Sequence, residues 1–408
     1  MSIDVTRYYP IDLVSSEVVV KSTLSCDELV AQYEQLLQRC LQHSSRQGTL
    51  YCGGLGPHVF LRMMLAQYTL STATATTAND SAAISGKIDQ AILLLQQAKK
   101  ASIYALEHAK GDTRVSLLES RTIGAYSLLA VIDKKLADHT SEATTEHSSV
   151  PSSSSPPSTS WVTLTNQIIQ ELSTKCSQLP PQECEVLYGR AGALAAIFYL
   201  RQELDLPDLG TEFVVATTIQ ILRQGIREAR ELEEQNRNHR TVGRLPLVWQ
   251  WHGKHYLGAA HGVVGILHTL LNLQPKEWEV IEEELPNIQS MIKDTIQSLN
   301  SLCHVSGNLG SSLSEQPVAS RGDRLVHWCH GATGHCLLLI KASQVFHEPT
   351  FLRVAQDIAE TVIWPRGLLH KGVGLCHGIS GNAFVFLALS EALPDADASK
   401  WQRRALQY

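Results

Sequence analysis

The chain has 408 residues, of which 44% are hydrophobic, and a formal net charge of −6. This composition is ample for a large buried core, and the negative charge argues against a nucleic-acid partner. The N-terminus lacks the apolar core of a secretory signal, and the longest strongly apolar stretch, residues 191–200, is too short to cross a bilayer. The nine cysteines show no disulfide spacing, so we expect free thiols or metal ligands in a cytoplasmic protein. Peripheral contact with a membrane stays open.

A Gly-x-x-Gly step followed by an apolar helical run recurs along the chain. The step is found at residues 53–56, 189–192, 262–265, 331–334 and 378–381, with a degenerate copy at residues 121–124. Its near-regular spacing indicates one repeat architecture rather than several unrelated domains. A capping box at residues 25–28 opens the first helical run.

Two kinds of helical run alternate between the glycine steps. Amphipathic runs occupy residues 88–106, 164–172 and 211–232, and runs that are apolar nearly all round occupy residues 194–200, 266–273, 336–342 and 383–389. Helices without a polar face are buried ones. We therefore predict one outer and one inner helix in each repeat, with the inner helices in a ring and their glycine-bearing N-termini at one end.

The low apolar content of residues 139–160 predicts a disordered insertion. Residues 71–85 and 307–321 are two further polar interruptions, and the repeat resumes beyond each of them. The prediction is therefore a single all-α domain that spans residues 1–408.

Two short strings in the last third of the chain pair a thiol with an imidazole ahead of a glycine. They are Trp328-Cys329-His330-Gly331 and Leu375-Cys376-His377-Gly378. Thiolates and imidazoles are preferred zinc ligands, and only the fold can bring two such distant strings together. This favours a metal in a preformed cleft. The alternative is a closed structural Cys₂His₂ site that uses His330 as the fourth ligand.

Longer strings around these motifs resemble those of the eukaryotic LanC-like proteins, which are relatives of the bacterial lanthionine cyclases. They lie at residues 187–192, 258–262, 326–331 and 367–378. The resemblance implies a double-layered α/α toroid of seven helical hairpins with zinc at one end of the ring.

The resemblance also implies roles for individual residues. The metal ligands are Cys329, Cys376 and His377, and water or the incoming thiol takes the fourth position. The acid–base histidine of the family falls on His261, in Gly-Ala-Ala-His-Gly. Substrate or glutathione binding falls on Lys371 and on Arg7.

The activity implied is zinc-dependent addition of the glutathione thiolate to dehydroalanine or dehydrobutyrine residues in proteins or peptides. The thiolate is the nucleophile in such an addition, and zinc removes the proton of a bound thiol. Attack at the β-carbon makes an enolate, and an imidazole protonates its α-carbon well near neutral pH. Lys371 offers a positive charge to the enolate oxygen or to a carboxylate of the tripeptide.

Two departures from the family pattern favour an alternative function. Thr122 stands where the family has the aspartate of a Gly-Asp-Ala-Gly step, and Glu119 is the nearby carboxylate that could replace it. The chain also ends at Tyr408 with six of the seven inner helices, so the toroid is predicted to be incomplete at its C-terminus. The alternative is a non-catalytic protein that binds zinc and glutathione and recognises modified or phosphorylated proteins. An α/α toroid glycosidase ranks last, because the glycine steps do not present the two carboxylates that it needs.

Overall fold

The computed structural model describes residues 53–75, 81–145, 160–235, 245–315 and 323–408, with positions 31, 34, 35, 37–39, 42 and 48–51. Every regular element within these ranges is helical, and β-pairing is limited to three isolated bridges. The all-α fold predicted from the sequence is therefore confirmed. A search of the same ranges finds no helix with the length and apolarity to span a membrane.

The described residues fall into two compact units. The N-terminal unit contains those within residues 22–179 and 187–213, and the C-terminal unit contains residues 180–186 and those within 214–408. A single domain over residues 1–408 stays a prediction.

The N-terminal unit consists of helices that pack on their neighbours in the chain. A π-helical turn, Gly56–Phe60, leads into α1 (Leu61–Ala75), which is followed by α2 (Ser81–Glu107), α3 (Arg121–Thr145), α4 (Ser160–Gln178) and α5 (Arg190–Leu204). Each of α1 to α3 packs against the next helix, and α5 packs against both α3 and α4. These contacts bury one face of each amphipathic helix, which is the main source of helical stability in proteins.

The insertion predicted at residues 139–160 is helical at both of its described ends. Helix α3 continues through residues 139–145, and α4 already includes Ser160. The polar stretch at residues 71–85 is likewise helical at both of its ends. Residues 146–159 and the capping box at residues 25–28 lie outside the described residues.

The C-terminal unit holds the helices that surround the predicted site. Helix α6 (Thr211–Gln235) enters it at residue 214 and is followed by α7 (Val263–Leu270), α8 (Pro275–Glu284), α9 (Ile288–Ser301), α10 (Ala332–Val345), α11 (Pro349–Ile358), a π-helical turn (Ala359–Ile363), the short α12 (Trp364–Arg366), α13 (Ile379–Ala392) and α14 (Asp395–Gln407). Helix α10 packs against both α7 and α13, while α11 and α14 pack on α10 and α13 respectively.

The predicted inner helices start where the glycine steps place them. Gly262, Gly331 and Gly378 are the N-cap residues of α7, α10 and α13. Helices α7 and α10 are buried on nearly all sides, as their sequences predict. Helix α13 differs, because the side chains of Phe384 and Leu387 are 52% and 38% exposed. The prediction of complete burial is therefore wrong for α13.

Candidate metal centre and acid–base site

The predicted metal ligands occupy equivalent positions in two repeats. Cys329 lies two residues before the N-cap glycine of α10, and Cys376 and His377 directly precede the N-cap glycine of α13. Because α10 and α13 pack together, the two loops meet, and the backbone N–H of Cys329 donates a hydrogen bond to the carbonyl of Cys376 at 3.3 Å. The chain thus brings together residues that are far apart in sequence.

The three donor atoms form one compact group. The two sulfurs and one ring nitrogen of Cys329, Cys376 and His377 lie within 4.8 Å of one another, a group able to hold a metal ion. Two thiolates and one imidazole suit zinc, and three protein donors are the number found in zinc sites that keep a position open for water or substrate. Cys329 is buried, Cys376 is half-buried and His377 is exposed, so the group has a solvent-facing side.

The thiols of Cys329 and Cys376 affect each other's ionisation. A hydrogen bond with Cys376 raises the pKa of the Cys329 thiol, and burial and the charge of the neighbouring thiolate raise it further. Two adjacent thiols cannot both ionise without a compensating charge, whereas a bound metal stabilises both thiolates. Lys371, in an exposed turn of the same loop, lowers the pKa of Cys329 by its charge.

The structure does not support the closed Cys₂His₂ alternative. His330 is absent from the donor group among the described residues. Its ring instead lies 5.9 Å from the ring of Tyr256 and 6.5 Å from that of His261, measured between centroids. A further histidine, His327, is buried and has its ring 6.0 Å from that of His377, measured between centroids.

His261 precedes the N-cap glycine of α7 and is paired with a buried carboxylate. Its Nδ1 lies 2.7 Å from Oε2 of Glu185, whose side chain is only 1% exposed. The pair is an arrangement in which Nδ1–H donates to the carboxylate. Exchange of a proton with a substrate would then involve the other ring nitrogen, Nε2.

Two aromatic rings, those of Trp251 and Tyr256, lie next to the His261 imidazole. The indole of Trp251 lies parallel to the imidazole, with ring centroids 4.0 Å apart and an interplanar angle of 4°. The phenol ring of Tyr256 lies 5.9 Å from the same imidazole. These contacts leave the His261 side chain 17% exposed.

Gly258 joins the acid–base residues to the metal donors. A Cβ at this position would lie 2.1 Å from the carbonyl oxygen of Cys329 and 2.9 Å from the Cα of His330. The backbone N–H of Ala260 also donates to that carbonyl, at 3.4 Å. The absence of a side chain at Gly258 lets the loop that carries His261 contact the loop that carries Cys329.

The carboxylate partner of His261 is the functional residue that the sequence reasoning missed. We expected either a weakened histidine beside Thr122 or compensation by Glu119. Instead, the Thr122 hydroxyl donates to Glu171 at 2.7 Å, and Arg114 contacts Glu119 at 2.9 Å. Glu185 was detectable only as an acidic residue inside an otherwise apolar string shortly before a glycine step.

The structure describes only one of the two predicted binding residues, Lys371 and Arg7. Lys371 lies in the same loop as Cys376 and His377, and its charge acts on Cys329. Arg7 lies outside the described residues, so its role stays a prediction.

A model of the family described as "Lanthionine synthetase C-like protein" matches residues 152–407, which is more than half of the chain. The chain belongs to the LanC-like family. The resemblance inferred from the sequence is therefore confirmed, and membership implies the α/α toroid that the repeats predict.

Two curated relatives are eukaryotic proteins of this family. The zebrafish (Danio rerio) "Glutathione S-transferase LANCL1" is 34% identical over 213 residues, covering 52% of this chain and 47% of its own. The Arabidopsis thaliana "LanC-like protein GCL1" is 34% identical over 205 residues, covering 50% and 42%. The aligned region thus spans about half the length of these relatives or slightly less. A solved structure of "Nisin cyclase" is similar with a TM-score of 0.48 at 16% identity, covering 94% of this chain and 86% of its own.

Proposed function

We propose that this LanC-like chain is a cytoplasmic enzyme that adds glutathione to dehydroalanine and dehydrobutyrine residues of proteins or peptides in a zinc-dependent reaction. One observation carries the proposal: a Cys₂His donor group and a carboxylate-paired histidine meet in one site of the C-terminal unit. The printed name of the zebrafish relative, a glutathione S-transferase, agrees with it.

The donor group supplies the place for the nucleophile. Cys329, Cys376 and His377 would hold the zinc, with the solvent-facing side left for the glutathione sulfur. Zinc bound there would supply the thiolate, because a metal-bound thiol loses its proton. Lys371 extends from the same loop and offers its ammonium group to a carboxylate of the tripeptide.

His261 handles the proton of the reaction. When the sulfur bonds to the β-carbon, the electrons of the carbon–carbon double bond move to the carbonyl and form an enolate. The imidazolium donates its Nε2 proton to the α-carbon, and the proton lost by the glutathione thiol restores it. Glu185 stabilises the charged ring through Nδ1, as a buried carboxylate does for other catalytic histidines. General acid catalysis of this kind contributes about 10²–10⁴-fold to a rate.

The proposal is tested with purified protein, zinc, glutathione and a peptide that contains dehydrobutyrine. The expected result is a mass gain of one glutathione per peptide, faster than in the absence of protein. His261→Ala is expected to slow the reaction by about 10²–10⁴-fold while keeping its zinc. A wild-type protein that contains zinc but does not exceed the uncatalysed rate would show the proposal to be wrong.

The alternative of a binding protein without turnover rested on two expectations: that Thr122 leaves His261 without a carboxylate partner, and that the toroid lacks its seventh inner helix. The contact between His261 and Glu185 argues against the first of them. Glutathione binding in a calorimeter together with an absence of adduct would support the alternative.

A further inference from the structure

Trp251 has no role in the proposed reaction, yet it covers one face of the proposed proton donor. Its indole lies 4.0 Å from the His261 ring and within 4° of parallel. We propose that Trp251 is a positioning residue for His261. In this proposal the contacts of residues 247–254 hold the Trp251 indole in place. This inference rests on the proposed function, because there His261 must aim a proton at the α-carbon.

Residues 248–250, which directly precede Trp251, form hydrogen bonds with helix α6. The backbone N–H of Val248 donates to the carbonyl of Gly225 at 3.3 Å, and Nε1 of Trp249 donates to the carbonyl of Ile221 at 2.8 Å. The backbone N–H of Gln250 donates to the carboxylate of Glu228, which is itself buried. Three consecutive residues are therefore held along one helix.

Gly225 makes this attachment possible. A Cβ on Gly225 would lie 2.5 Å from the buried indole ring of Trp249. Any larger residue would lift the segment from α6. The position of the segment thus depends on a missing side chain as well as on its hydrogen bonds.

The residues after Trp251 close a tight turn. Trp251 and Lys254 exchange backbone hydrogen bonds of 2.8 and 3.1 Å. Between them His252 and Gly253 both have positive φ, 47° and 76°. Positive φ at both central residues is the geometry of a type I′ turn, and it is uncommon for a residue such as histidine. The backbone of Trp251 is therefore fixed from both sides.

The stacked indole removes a freedom that Glu185 leaves. The hydrogen bond from Nδ1 to the carboxylate holds one edge of the imidazole but does not by itself fix the tilt of the ring plane about that bond. A parallel indole in contact with the ring face blocks the tilt, so Nε2 keeps a constant direction. Misplacement of a catalytic group by about 1 Å can cost about 10²-fold in rate.

The test compares Trp251→Leu, which loses the flat face, with the matched control Trp251→Phe, which keeps it. Trp251→Leu is expected to lower kcat by about tenfold to a hundredfold, with KM for glutathione and zinc content unchanged. Trp251→Phe is expected to keep most of the wild-type kcat. An equal loss in both variants, or no loss in Trp251→Leu, overturns the inference.

A spectroscopic measurement keeps the inference testable apart from activity. An indole stacked on an imidazole shifts the ring protons of His261 upfield in the NMR spectrum, and His261→Gln assigns these signals. The shift is expected in the wild type and in the control Gly86→Ala, whose added Cβ in helix α2 meets nothing within 4 Å. It is expected to disappear in Trp251→Leu. Its absence from the wild type overturns the positioning role, whereas absence of transfer activity with the shift present contradicts only the proposed function.

A second variant leaves the indole itself intact. Gly253→Ala places a side chain at a φ of +76° where nothing lies within 4 Å, so it strains the turn without a clash. It is expected to reduce both the upfield shift of His261 and kcat, with zinc content retained. Unchanged values for both would contradict the role assigned to the turn.

Discussion

The candidate metal donors and the candidate acid–base histidine all lie within the two residues before the N-cap glycine of an apolar helix, but they are held in opposite ways. His261 is fixed by a buried carboxylate at one edge and a parallel indole on one face. His377 is exposed, in a loop that also exposes Val373 and Leu375, at 76% and 61%. The candidate acid–base residue is thus held in place by protein groups, whereas two neighbouring thiols cannot both ionise without a compensating charge.

The largest effect is expected from removal of a metal donor. Cys376→Ala takes one sulfur from a group of three, so zinc is expected to fall from one per dialysed chain to near none, and transfer to the uncatalysed rate. The matched control, Cys303→Ala, removes a thiol outside the group and should keep its zinc. Metal analysis checks both proteins. Stoichiometric zinc in Cys376→Ala would mean that the ion is held elsewhere.

A smaller loss of activity is expected when a neutral amide replaces the carboxylate of Glu185. Glu185→Gln keeps the shape of the side chain but cannot stabilise an imidazolium, so kcat is expected to fall by about 10²-fold or more with zinc unchanged. Glu183→Gln, two residues earlier, is the control and should behave as the wild type. Steady-state kinetics measure the change. Equal kcat in the wild type and Glu185→Gln would show that His261 acts without this partner.

A substitution at Gly258, where the loop of His261 contacts the loop of Cys329, is expected to affect both the candidate metal group and the acid–base residue. Gly258→Ala forces a methyl group against the backbone of Cys329 and His330, and it is expected to lower the free energy of unfolding by about 1–3 kcal/mol. Zinc affinity and kcat should fall together. Gly86→Ala, a helical glycine whose added Cβ meets nothing within 4 Å, should leave all three unchanged or slightly raise stability. Denaturant titration and zinc competition report these values, and a selective effect on one region would argue against a shared backbone contact.

The smallest effect is expected on stability, at the π-helical turn Ala359–Ile363. This turn precedes the loop that carries Cys376 and His377. Glu360 accepts hydrogen bonds from Arg404 and Lys400 of α14, which lower its pKa from 4.5 to about 2. Because the folded-state pKa is depressed, the ionised carboxylate stabilises the protein above its usual pKa and loses this effect as pH falls toward 2.

Glu360→Gln is therefore expected to destabilise the protein at pH 7 by at most about 1 kcal/mol, since the pair is partly exposed. The difference from the wild type should shrink as pH falls through 4.5 and vanish near 2. Thermal melts without added metal measure it. A difference that is the same at all pH values would assign the effect to packing rather than charge.

Local patterns in the sequence were sufficient to predict the helices and the residues of the candidate metal group. Apolar runs after glycine steps predicted α7 and α10, because a helix without a polar face has to be buried. The Cys-His strings predicted a donor group because thiols and imidazoles have few other reasons to recur before such glycines. The same reasoning failed for α13, since the periodicity of a helix does not show whether a neighbour covers each of its faces.

The sequence by itself thus determined the helical class, the glycine-led inner helices and the three residues of the candidate metal group. Only the tertiary structure decided that Glu185 is the partner of His261, that Trp251 stacks on it, and that His330 stays out of the donor group. The physical reason is distance along the chain. A hydrogen bond between residues 76 positions apart leaves no local pattern in the sequence, because backbone packing alone brings the carboxylate and the imidazole together.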